Sequence, residues 1–126
     1  MPSRFSTDTL YARLGGYDAI AAVSDDLLTR LRADAQLARF WQKRADDSVR
    51  REKQLLIDFL CSASGGPLYY VGRDMKTSHC GMGISESDWQ RFIGHLEATL
   101  DKFAVPAAER AEVLGFVDST KADIVE

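Results

Sequence analysis

Apolar residues recur along the chain at helical spacing, in blocks closed off by glycine or proline. The first block, "STDTLYARLG", opens on Ser6, Thr7 and Asp8 as candidate caps and stops at Gly15-Gly16, so it predicts a short helix. In "YDAIAAVSDDLLTRLRAD", Ile20, Val23, Leu27, Leu28 and Leu31 share one helical face. Phe40 and Trp41 follow in "QLARFWQKR", a stretch too aromatic for a solvated loop. "SVRREKQLLIDFLCSAS" predicts a second long helix, with Ser48 as its cap and Leu55, Leu56, Phe59, Leu60 and Ala63 as its buried stripe, ended by "GGP". "SESDWQRFIGHLEATLDKFAV" begins on a Ser85–Asp88 capping-box pair and carries Trp89, Phe92, Ile93, Leu96 and Leu100. In "PAAERAEVLGFVDSTKADIVE", Pro106 suits a first-turn position, and Val113, Leu114, Val117 and Ile124 are the apolar positions. The prediction is an all-α fold of four longer helices with glycine-rich corners, in one domain over residues 1–126.

One segment resists this pattern. "LYYVGRDMKTSHCGMG" is fenced by Gly66, Gly72, Gly81 and Gly83, so any helix inside it is short. It holds His79, one of two histidines, beside Cys80, one of two cysteines. Zinc is weakly supported, because adjacent His79 and Cys80 do not readily aim at one ion and no Cys-x-x-Cys or His-x-x-x-His pair exists. A Cys/His nucleophile pair is weak too: neighbours on a helix point about 100° apart. Cys61 reads as a small core residue, and His95 as a partly buried helix histidine with a satisfied hydrogen bond. The Asp and Glu residues read as caps and solvated charges.

Composition removes several classes. The net charge of −3 gives no basic surface for nucleic acid or acidic membranes, and no apolar run is long enough to span a bilayer. The opening residues lack an apolar signal core, so a cytoplasmic protein with reduced thiols is expected. A phosphate cradle is missing as well. A large apolar cofactor fits better. A helical domain holds a planar macrocycle when long helices sandwich it and one histidine binds the iron. Met75 lies four residues before His79 on the same helical face, and Phe59, Leu60, Trp41 and Phe92 are available as walls. Any helical bundle offers such walls, so residue chemistry alone leaves His79 with four roles open: metal ligand, half of a Cys/His pair, haem ligand or ordinary helix histidine.

Three motifs in order, "LYARLGGYDAI", "FLCSASGGPLYYVGRDMKTSHCGMGI" and "FAVPAAERAEVLGFV", resemble the truncated haemoglobins of the first group, over nearly the whole chain. The resemblance implies a two-over-two helical sandwich, the truncated globin fold, holding haem b. It makes His79 the proximal iron ligand through Nε2, with Nδ1–H donating to a backbone carbonyl one turn earlier. It places Met75 on the proximal haem face, Tyr70, Ile84, Phe92, Val113, Leu114 and Val117 in the pocket walls, and Phe40 and Trp41 beside the haem. Trp41 stands where phenylalanine is usual.

The departures are distal. Where the family commonly has a tyrosine that hydrogen-bonds oxygen, this chain has Leu28, preceded by Leu27. The frequent distal glutamine maps to Leu56, with Glu52 one turn earlier, whereas a two-residue slip would bring in Gln54. Trp41, Tyr69 and Gln54 are the candidate replacement donors. Lys53 reads as a solvent-reaching or propionate-pairing residue or, less simply, an internal iron ligand, and Arg51 and Arg73 as further propionate partners. The implied function is binding of oxygen, nitric oxide and carbon monoxide, for oxygen handling or for nitric oxide detoxification with an external reductase. A peroxide-reactive or gas-sensing haem protein and a haem-free interaction module are the other classes. An apolar distal side makes peroxidase chemistry weak.

Overall fold

A computed structural model describes residues 9–67, 70, 72 and 74–126. Among these the regular structure is helical: α1 (Leu10–Leu14), α2 (Gly16–Ala33), a 3-10 turn (Leu37–Trp41), α3 (Asp46–Ala63), α4 (Met75–His79), α5 (Glu86–Lys102), α6 (Ala107–Asp118) and α7 (Lys121–Ile124). Thr9 caps α1, its Oγ1 accepting from the Ala12 N–H at 3.1 Å; Ser6, Thr7 and Asp8 lie outside the described residues. Gly15 turns the chain from α1 into α2 at φ 106°, a left-handed conformation that a side chain would strain.

The start of α3 differs from the sequence expectation. It begins at Asp46, and Ser48 lies inside it. Ala45 offers no side-chain cap, and Asp46 and Asp47 instead place negative charge against the positive end of the helix dipole. The α5 capping box is present: Ser85 Oγ accepts from the Asp88 N–H at 3.1 Å and Asp88 accepts from the Ser85 N–H at 2.9 Å. Pro106 stands one residue outside α6 as its N-cap, and the final stretch breaks into α6 and α7 at Ser119-Thr120.

Helix α2 packs on both α3 and α5. On one side Ile20 meets Ile57, Leu60 and Cys61. On the other, Leu27 and Leu31 join Leu37, Trp89, Leu96, Leu100, Val113 and Val117. Cys61 is fully buried, and burial pushes its thiol above the usual range. The predicted α3 stripe proves to be two faces. Val49, Ile57, Leu60 and Cys61 are buried, Leu55, Leu56 and Phe59 are half-buried along a cavity, and Ala63 is exposed.

Two carboxylates expected at the surface are inside. Asp34 is 9% exposed and accepts from the Gln36 and Leu37 backbone N–H groups, from Arg91 at 3.1 Å and from His95 at 2.7 Å. Asp88 is 2% exposed and accepts from Arg39 at 2.6 Å and Gln36 at 2.6 Å. Together they staple the 3-10 turn, and so Phe40 and Trp41, to α5. The Arg39 hydrogen bond holds the Asp88 carboxyl well below the usual carboxylate range, and the His95 contact does the same for Asp34.

A depressed folded-state pKa adds stability that is present above the unfolded value of about 4 and is lost as pH falls through the folded value. Asp88→Asn is therefore expected to cost about 1.5–3 kcal/mol at pH 7. In denaturant titrations the gap between wild type and variant should narrow steadily below about pH 4. A gap that stays constant into acid would show that the charge of Asp88 does not contribute.

Candidate functional site

A cavity of about 430 Å³ lies between α2, α3, α4 and α5, within the size range of small-molecule sites. Leu27, Leu28 and Leu31 of α2 line it, as do Leu55, Leu56, Phe59 and Leu60 of α3. Trp89, Phe92 and Leu96 come from α5, and Val117, Thr120 and Ile124 from the C-terminal helices. Phe40 and Trp41 enter from the 3-10 turn, and Tyr70, Ile84 and Met82 from the connecting segments. The wall is mainly apolar, with Arg44, Glu52 and Asp88 as its charged members among the described residues and the His79 imidazole beside them.

Helix α4 carries His79 into this wall together with Met75 and Ser78. Asp74 caps the helix, accepting from the Thr77 N–H at 2.6 Å. His79 Nδ1 is 2.8 Å from the Met75 carbonyl oxygen, so the Nδ1–H tautomer donates to it, which is the contact the resemblance implies. Ser78 Oγ lies 3.0 Å from the same nitrogen and also donates to the Met75 carbonyl. With Nδ1 protonated, Nε2 keeps its lone pair for a ligand bond.

The turn after α4 is clamped by the far end of the chain. The Glu126 side chain accepts from the Gly81 N–H at 3.2 Å and the Gly83 N–H at 2.8 Å, and its backbone N–H donates to the Ile84 carbonyl. Gly81 and Gly83 have φ of 81° and 70°, so both amides turn toward one carboxylate. These amide bonds, Gly83 first, lower the Glu126 pKa. The Met82 N–H donates back to the His79 carbonyl, so the clamp reaches the histidine through one residue.

The α3 register follows from the cavity. Glu52, Leu55, Leu56 and Phe59 stand at i, i+3, i+4 and i+7, one face of a helix. Lys53 and Gln54 fall on the other side. Lys53 Nζ pairs with Asp25 at 3.2 Å, and Gln54 donates to Tyr17 Oη at 3.1 Å and Asp58 at 2.9 Å. Neither lines the cavity, so the distal-pocket roles expected of them do not match this geometry. Arg51 is exposed and also absent from the wall.

Two expected wall residues sit elsewhere. Val113 is buried in the α2/α5 core and Leu114 packs against that core, while Val117, one turn further on, reaches the cavity. The other expected residues, namely His79, Met75, Tyr70, Trp41, Phe40, Phe59, Leu60, Ile84, Phe92, Val117, Leu28 and Leu56, share the one wall. Tyr69 and Arg73 lie outside the described residues. Sequence reasoning gave no role to Arg44, and to Asp88 only that of capping-box partner to Ser85. It noted Glu52 only by its place in the register. The Trp41 indole Nε1–H donates to Glu52 Oε2 at 2.9 Å, and Arg44 pairs with the other carboxylate oxygen.

A family model described as bacterial-like globin matches residues 9–126. A group 1 truncated hemoglobin from Mycolicibacterium paratuberculosis is 33% identical over 86% of this chain and 78% of its own length. One from Chlamydomonas moewusii is 31% identical over 98% and 72%. The crystal structure of the truncated hemoglobin from Tetrahymena pyriformis in its Fe(III) form superposes with a TM-score of 0.84, at 28% identity, covering 94% of this chain and 98% of that one. At 24% identity, the 2/2 hemoglobin of Synechococcus reaches a TM-score of 0.84 over 93% and 98%, a likeness of fold. The fold is accordingly the two-over-two helical sandwich, and the chain belongs to the bacterial-like globins, among the group 1 truncated haemoglobins, which hold haem and bind diatomic gases.

Proposed function

We propose that His79 is the axial ligand of the haem iron and that oxygen, nitric oxide or carbon monoxide binds on the side of the cavity lined by Leu28 and Leu56. The observation that carries this is an imidazole in the wall of an apolar cavity, its Nδ1–H already committed to the Met75 carbonyl. The donor set fits the cofactor: one oriented histidine, aliphatic and aromatic walls, and Arg44 to face a carboxylate at the rim. When bound, the haem supplies an iron that takes a diatomic gas and exchanges electrons. The protein's own residues orient it and exclude water. Met75 packs on the side of His79, and Phe40, Phe59, Tyr70, Ile84 and Phe92 enclose the rest.

The physiological task we infer is oxygen handling or the conversion of nitric oxide to nitrate, with re-reduction by an external reductase. Leu28 and Leu56 offer oxygen no hydrogen bond, and the Trp41 N–H is taken by Glu52. A pocket of this kind releases oxygen quickly.

Purified protein should show a Soret band that His79→Ala abolishes; an apoprotein after expression with excess haem would reject the reading. Introducing a donor by Leu28→Tyr is expected to slow oxygen dissociation in stopped-flow measurements. One good hydrogen bond, about 1.4 kcal/mol, corresponds to roughly tenfold. Glu126→Ala should speed haem loss to a scavenging apoglobin by several-fold, whereas an unchanged loss rate would show that the clamp does not hold the His79 segment.

A further inference from the structure

The cavity wall holds one polar arrangement whose members all line it. Asp88 is consumed by Arg39 and Gln36, Thr120 Oγ1 donates to the Val117 carbonyl at 2.6 Å, and Ser78 is engaged at Met75. These contacts tie helices to their own ends or to each other. Trp41, Glu52 and Arg44 instead form a triad of cavity-lining side chains. Both oxygens of Glu52 are committed, Oε2 to the indole N–H of Trp41 and Oε1 to Arg44. Glu52 is one helical turn before Leu56 and shares its face. Its side chain is 28% exposed and that of Arg44 42%, so Arg44 marks the solvent side of the triad.

We propose that Glu52 sets the ligand preference of this pocket. It does so by withholding the Trp41 N–H from the bound gas. The inference rests on the reading of the cavity as the haem site. A gas that gathers negative charge on binding, as oxygen does, is stabilised by a donor. Carbon monoxide gathers little and is nearly indifferent. With Glu52 in place, Trp41 is a donor facing an acceptor of the protein's own, and oxygen loses that stabilisation relative to carbon monoxide. An apolar residue at position 52 leaves the indole N–H without a partner in an apolar wall, where a ligand oxygen is the available acceptor.

The test uses the haem-loaded protein with Glu52→Leu, Glu52→Ala, Trp41→Phe and the double variant Glu52→Leu/Trp41→Phe. Oxygen and carbon monoxide dissociation rates and the infrared C–O stretch of the carbon monoxide complex are read for each. Glu52→Leu is expected to slow oxygen release by roughly fivefold or more, with carbon monoxide release changed far less. Its C–O stretch should move to lower frequency as the donor turns to the ligand. In the Trp41→Phe background the same Glu52→Leu change should slow oxygen release less than twofold, since no indole remains. Glu52→Ala frees the same indole, so its oxygen rate and stretch should move in the same direction as those of Glu52→Leu. If Glu52→Leu loads no haem, the rate and stretch of Glu52→Ala decide. An unmoved rate and stretch, or a slowing that survives Trp41→Phe, would overturn the proposal while leaving the haem reading intact. A wild-type protein with no Soret band would overturn both.

Discussion

The constraint that governs this molecule is a cavity of about 430 Å³ inside a chain of 126 residues. Side chains that line such a space lack packing partners on one side. The whole stability of a domain this size is about 5–15 kcal/mol. The walls therefore depend on contacts outside the cavity, and gain from an occupant inside it. Two buried carboxylates supply much of the outer support. Asp34 and Asp88 reach from the end of α2 and the start of α5 to the 3-10 turn and Gln36 just before it, and help fix where Phe40 and Trp41 enter the wall. Binding of the cofactor adds to stability by mass action, so site and fold are thermodynamically one object.

What the sequence made legible was local. The α2 and α5 stripes, the Ser85–Asp88 box and the glycine corners each depend on residues within a few positions of one another. His79 belongs to this class. Its orienting partner, Met75, is four residues away, and the glycines that shorten its helix are adjacent. The buried carboxylates are of the other class. Asp34 meets Arg91 and His95, and Asp88 meets Arg39, across gaps of about fifty to sixty residues, so local sequence shows at most a cap and not the burial or the distant partners. Periodicity also names a face without naming what the face meets. Val113 and Val117 fall on one stripe of α6, but Val113 packs into solid core and Val117 lines the cavity. Likewise the apolar residues of α3 divide between core and cavity, a division that hydrophobicity cannot express.

The two sides of the cofactor site are consequently built on different principles. On the proximal side a five-residue helix, an Asp74 cap and a Glu126 clamp hold one imidazole, and most of that information is contiguous. On the opposite side the chemistry depends on the rotation of α3. With Leu56 in the wall, Glu52 must follow one turn earlier, and Gln54 must face Tyr17 and Asp58 instead. A slip of two residues would have exchanged a carboxylate for an amide and an acceptor for a donor. The apolar residues of α3 thus choose the polar one: packing Leu55, Leu56 and Phe59 against the cavity fixes which side chain of the preceding turn faces it. A tryptophan at position 41 then gives that carboxylate an N–H to hold, which a phenylalanine there could not. The substitution is conservative in size and aromaticity, but it introduces a bond that couples the 3-10 turn to the cavity-facing side of α3.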